Sequence, residues 1–72
     1  MKYYYSFIGR NVQNARKAAG MTQEELAREL DVSLSMISRL ETGRTMVSVE
    51  RLMEIAQILN AFAGDFLREP GK

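Results

Sequence analysis

MTQEELARELDVSLSMISRLETGR, residues 21–44, contains two helix-start signals with almost nothing between them. In the first, Thr22 is a strong N-cap, Glu25 completes a capping box three residues on, and Met21 and Leu26 bracket the cap as a hydrophobic staple. In the second, Val32, Ser33 and Ile37 repeat the pattern of apolar residue, hydroxyl cap and apolar residue four beyond the cap. Only Asp31 and Val32 are left to separate the two helices. A turn this short cannot lay them antiparallel in full contact, so they cross steeply. Leu26, Ala27 and Leu30 then face Val32, Ile37 and Leu40, with the small Ala27 where the helices approach most closely.

The same signals extend outward in both directions. Val47, Ser48 and Leu52 start a fourth helix, which runs to Leu59 and buries Leu52, Ile55, Ala56 and Leu59, with Asn60 as its left-handed cap. Upstream, Ile8, Val12, Ala15 and Ala19 fall on one face of a first helix expected over Ser6–Ala19. Arg16 and Lys17 suit its last turn and Gly20 its end. A short fifth helix is expected over Phe62–Arg68, contributing Phe66 and Leu67. Residues 1–5 and 69–72 read as tails. No alternating strand pattern occurs and Pro70 is the only proline, so the chain reads as all-α: one compact five-helix domain over residues 1–72, with its central motif at about 22–42.

Composition narrows the chemistry. The chain has 72 residues, 46% hydrophobic and 26% charged, with a formal net charge of +1. It has no cysteine and no histidine. Those absences remove disulfides, the usual general base, the Cys and His nucleophile systems and most zinc ligand sets, so no metal, no cofactor and no enzymatic activity are expected. Glu24 and Glu25 are adjacent on a helix and point in different directions, and Glu25 has a capping task, which argues against acid–base chemistry. Met21, Met36, Met46 and Met53 are scattered and fit gap-filling. No apolar run approaches the roughly 20 residues of a membrane span, and the N-terminus lacks a signal-peptide core, so a cytoplasmic protein without membrane contact is expected. A nucleic-acid binder with so small a net charge has to gather its positive charge on one face.

Taken in order, Thr22-Gln23, Leu26-Ala27, Val32-Ser33, Ile37, Leu40-Glu41, Gly43, Leu52, Ile55-Ala56 and Leu59 resemble the helix-turn-helix of the lambda-repressor and Cro class, the xenobiotic-response-element family of bacterial and phage regulators. The resemblance covers about Ile8 to Leu67. It implies a five-helix DNA-binding domain, usually dimeric, whose third helix enters the major groove of double-stranded DNA. Four positions depart from the family pattern: Asp31 stands where glycine is frequent, Val47 where proline is usual, Met46 where asparagine or a basic residue is common, and Phe62 where a capping serine is expected.

At 100° per residue, Ile37, Leu40 and Glu41 share one side of the third helix, while Ser35, Ser38, Arg39 and Thr42 lie on the other and Leu34 projects from the first turn. On the implied fold, Leu34, Ser35, Ser38 and Arg39 are the base-reading candidates: Arg39 can pair with guanine O6 and N7, and Leu34 can meet a thymine methyl. Gln23, Ser33, Thr42 and Arg44 are the phosphate-contacting candidates. Arg10 and Lys17 are weaker ones. The resemblance also pairs Arg16 with Glu41 as a structural ion pair. Tyr3, Tyr4, Tyr5, Phe7, Phe62 and Phe66 are much aromatic surface for so short a chain. Phe62, Phe66 and Leu67 are assigned to a dimer interface.

These readings lead to a sequence-specific, homodimeric transcriptional regulator on a two-fold-related operator, with a separate protein partner as a possible regulator. The competing class is a protein-interaction module, such as an antitoxin or regulatory partner, that keeps the fold with weak or no specific DNA binding. Near-neutral charge, Leu34, Met46 and Val47 are the features that favour it.

Overall fold

A computed structural model describes the backbone of residues 2–69 and the side chains of residues 7–69. Its elements are α1 (Lys2–Ala18), α2 (Gln23–Leu30), α3 (Leu34–Glu41), α4 (Val49–Leu59) and a 3-10 helix (Ala63–Leu67), called the terminal turn below. The expected fifth helix is therefore a 3-10 turn. Its N-terminal residue Phe62 makes no side-chain cap bond, so nothing organises an α-helical first turn there.

Helix α1 begins at Lys2, and residues 2–5, read as a tail, are helical. No proline or glycine precedes Gly9, so the helix nucleated by the core-facing residues propagates toward the N-terminus. The side chains of Tyr3, Tyr4 and Tyr5 lie outside the described residues, as do residues 70–72 of the expected C-terminal tail.

Starts and stops follow local chemistry. Thr22, Ser33 and Ser48 each accept a backbone N–H three residues on, from Glu25, Met36 and Arg51, at 3.0–3.1 Å. Glu25 reciprocates by accepting from the Thr22 N–H at 2.8 Å. All four α-helices stop alike, on a left-handed residue: Gly20, Asp31, Gly43 and Asn60. After each, the next N–H reaches back to a carbonyl five residues earlier: Met21 to Arg16, Val32 to Ala27, Arg44 to Arg39 and Ala61 to Ala56. Asp31, standing where the family often has glycine, adopts φ 59° and ψ 47° and makes the same stop. A stop and the next cap thus fit into three residues twice over, as Gly20-Met21-Thr22 and Asp31-Val32-Ser33.

The core gathers Val12 of α1, Leu26 of α2, Ile37 and Leu40 of α3, Ile55 of α4 and Phe66 of the terminal turn, all fully buried. Each contributes roughly 1.5–3 kcal/mol by leaving water, which matters in a domain this small. Helix α1 packs against α3 and against the terminal turn, and α2 packs against both α3 and α4. At one place the backbones nearly touch: a Cβ on Gly9 would stand 2.2 Å from the Leu40 carbonyl oxygen and 2.8 Å from that of Glu41. Only glycine lets α1 lie this close to the end of α3. No helix among the described residues is long and apolar enough to cross a membrane.

Candidate nucleic-acid interface

Helix α3 is held along one edge and left open along the other. On the held edge, Ile37, Leu40 and Glu41 are buried. The Arg16 Nε donates to Glu41 Oε2 at 2.6 Å and Nη2 donates to Oε1 at 3.1 Å, a two-pronged pair joining α1 to α3. The remaining prong, Nη1, donates to the Met21 carbonyl at 2.7 Å. One guanidinium therefore ties together the end of α1, the approach to α2 and the end of α3. No buried side-chain nitrogen or oxygen among the described residues lacks a partner, so this pair costs no orphaned polar group.

Gln23 joins the same cluster, its Nε2 donating to Glu41 Oε1 at 2.8 Å. The sequence reading gave Gln23 to phosphate alone. The structure gives one of its two amide hydrogens to Glu41 and leaves the other, at the start of α2, for an acceptor outside. Sequence spacing held no sign of this bond, because the partners belong to different helices.

The hydroxyls of Ser33 and Thr42 differ in what they have left to give. Ser33 Oγ accepts from the Met36 N–H, so its own proton is still available to a phosphate. Thr42 Oγ1 donates to the Ser38 carbonyl at 2.9 Å. A phosphate only accepts, so Thr42 can serve one only by giving up that bond. Thr42 acts here as the closing residue of α3, because its hydroxyl falls within reach of a helix-end carbonyl.

On the open edge stand Leu34, Ser35, Ser38 and Arg39, all exposed. Leu34 is 45% exposed although large and apolar. Arg39 has no side-chain partner among the described residues. Arg44 is placed by the stop after α3, its backbone N–H bonded to the Arg39 carbonyl at 2.8 Å, and its side chain is exposed. A shallow cleft runs between the end of α1, the start of α2 and the first residue of α3, lined by Lys17, Gly20, Thr22, Gln23, Glu24 and Leu34 among others. Free N–H groups at the start of α2 and the Lys17 ammonium favour an anion there, and the Glu24 carboxylate opposes it. A second depression, at Ser48, Glu50, Arg51 and Glu54, carries two carboxylates and is unsuited to phosphate. Lys17, Arg39 and Arg44 stand on or beside α2 and α3, which also carry Glu24, Glu25 and Glu29.

Of the residues assigned to a dimer interface, Phe66 is withdrawn. It is 1% exposed, its ring filling the core between α1 and α4, and it has no surface to offer. Phe62 and Leu67, on the same turn, are 80% and 52% exposed.

Comparison with known proteins agrees with this geometry. The helix-turn-helix family profile matches residues 12–62. The chain is 36% identical over 64 residues to YazB, an uncharacterized HTH-type transcriptional regulator of Bacillus subtilis, covering 89% of this chain and 91% of YazB. It is 40% identical over 52 residues to an uncharacterized transcriptional regulator in the ATPase CF(0) region of Rhodospirillum rubrum, covering 72% of this chain and 48% of that protein. The chain therefore spans about half the length of the Rhodospirillum relative. Among solved structures, the clp gene regulator ClgR from Corynebacterium glutamicum superposes with a TM-score of 0.84 at 34% identity, covering 89% of this chain and 82% of ClgR. With the match extending from the core of α1 to the end of α4, and the caps, stops and buried pair of the fold in place, the chain belongs to the helix-turn-helix family of lambda-repressor and Cro type, a family of DNA-binding transcriptional regulators.

Proposed function

We propose that this protein reads a specific double-stranded DNA sequence with α3 and regulates transcription as a homodimer on a two-fold-related operator. The observation that carries the reading is the division of α3: its inner edge is locked by Glu41, Ile37 and Leu40, while Arg39 on its outer edge has no partner among the described residues. A free guanidinium on a rigidly held helix is what bidentate recognition of guanine requires. Leu34, Ser35 and Ser38 accompany it as base-edge contacts. Lys17, Gln23, Ser33 and Arg44 supply the phosphate contacts that fix the register. The dimer is assigned to the terminal turn, whose Phe62 and Leu67 present apolar surface that a 72-residue chain gains by covering.

Selection on random duplex DNA at two salt concentrations tests this. One sequence class is enriched, its binding weakens as salt rises, and Arg39→Ala relaxes preference at one base pair by about 1–3 kcal/mol. If no sequence is enriched and Arg39→Ala changes nothing, the protein is an interaction module on the same fold. Sedimentation of Phe62→Ser tests the dimer surface, and an unchanged dimer mass moves the interface elsewhere.

A further inference from the structure

The terminal turn has weak internal support and depends on what packs against it. It is a five-residue 3-10 helix without a side-chain cap, a geometry with weak internal bonds. The core holds it through Phe66, with Ala63 packed against the same cluster. A second hold comes from α1. The Asn11 Nδ2 donates to the Phe66 carbonyl at 2.9 Å and to the Arg68 carbonyl at 2.7 Å. Both partners are oxygens, so it is the amide nitrogen that faces them, and both of its hydrogens are used.

Asn11 lies on a telling side of its helix. At 100° per residue it stands about 200° round α1 from Gly9, whereas Arg16 returns to within about 20° of Gly9. Gly9 and Arg16 both bear on the end of α3, one against its carbonyl oxygens and one against the Glu41 carboxylate. One side of α1 thus holds the reading helix and the opposite side holds the turn that carries Phe62 and Leu67. A rigid helix stands between them.

We propose that Asn11 is a positioning residue that sets the half-site spacing of the operator, by locking the dimer-forming turn to the face of α1 opposite the one that seats α3. This rests on the dimeric reading above. In a two-fold dimer, slack between the turn and α3 is felt twice, once in each subunit, as slack in the separation of the two reading helices. Changing the spacing by one base pair moves a half-site by about 3.4 Å and turns it by roughly 34° round the duplex. A locked subunit cannot follow that change, and a loosened one can.

The experiment is a spacing series. Full-length wild type and Asn11→Ala are titrated against palindromes of the selected half-site whose centres are set one and two base pairs closer or farther apart, and against a single half-site. Wild type loses on the order of tenfold in affinity one base pair from its optimum. Asn11→Ala loses less than about threefold there, while its single half-site affinity stays within about twofold of wild type. Asn11→Asp, which sets a carboxylate against two carbonyl oxygens, gives the same broad profile. A variant profile as sharp as that of wild type overturns the proposal. So does a uniform loss on every spacing and on the single half-site, which marks a structural role only. If wild type itself shows no spacing optimum and sediments on DNA as a monomer, the dimeric reading has failed and the proposal fails with it, an outcome visible before any variant is made.

Discussion

The two sides of α3 put the same kinds of polar group to opposite uses. On the inner side, Glu41 accepts from Arg16 twice and from Gln23 once, and it has no exposed side-chain surface. On the outer side, the side chains of Ser35, Ser38 and Arg39 are bound to nothing among the described residues. Arg16 and Glu41 have exchanged water for fixed partners, so they specify where the helix lies and have no capacity left for a ligand. The outer groups still carry their hydration, and a base edge can replace it. A helix that reads DNA needs both, because unspent donors discriminate between bases only when their backbone cannot shift to suit the wrong one.

Substitutions on each side can break this contrast. The largest effect is expected from Glu41→Ala, which leaves the Arg16 guanidinium buried without its carboxylate and lowers folding stability by about 3–5 kcal/mol in chemical denaturation. A loss below about 1 kcal/mol would show that the inner edge is not locked by this pair. Next, Gly9→Ala drives a methyl into two backbone oxygens that cannot turn aside. It costs about 1–3 kcal/mol despite alanine's better helix propensity. Gly64→Ala, whose Cβ meets nothing within 4 Å, is the control and stays within about 0.5 kcal/mol. On the outer side, Arg39→Ala leaves stability within about 0.5 kcal/mol of wild type, because the side chain holds nothing in the free protein. Its deficit appears only on DNA, and a drop in melting temperature comparable to that of Gly9→Ala would erase the distinction between the two sides.

The smallest effect concerns Glu25 at the start of α2. Its carboxylate accepts the Thr22 backbone N–H, the nearby Thr22 hydroxyl also favours the charged form, and the Arg28 charge adds a little; these hold its pKa below the ordinary carboxylate value against slight desolvation. A depressed folded-state pKa means a contribution present above the unfolded value, about 4.3, and lost as pH falls through the lower folded one. Glu25→Gln keeps a capping box and removes that slope. Melting curves of the two proteins therefore run parallel near neutral pH and converge in acid. A Glu25→Gln curve as steep in acid as that of wild type would assign the acid sensitivity to other carboxylates.

Much of the fold is legible along the chain because its signals are local. The caps at Thr22, Ser33 and Ser48, and the left-handed stops at Gly20 and Asn60, are settled by atoms within five residues of one another, so spacing alone reveals them. Asp31 was legible too, since a short polar side chain tolerates the left-handed region. The start of α1 at Lys2 was not, because no cap marks it and the helix simply propagates. Nor was the fate of Phe66. Its neighbour Leu67 and the preceding Phe62 are equally apolar, and which of the three turns inward depends on the 3-10 geometry and on the gap left between α1 and α4.

For the candidate interface the division falls in the same place. The sequence by itself determined that α3 exists, where it begins and ends, and which of its residues lie on opposite sides, since these follow from helical periodicity and hydroxyl caps. Tertiary structure alone decided which polar groups were still free. Gln23 proved to be partly committed to Glu41, and the Thr42 hydroxyl to the Ser38 carbonyl. Glycine at position 9 and asparagine at position 11 acquired their meaning only through Leu40, Phe66 and Arg68, between 31 and 57 residues away. The physical reason is range: a cap or a stop is satisfied by the chain's own nearest amides, whereas the free donors of a binding face are whatever remains after the helices have packed and taken their partners.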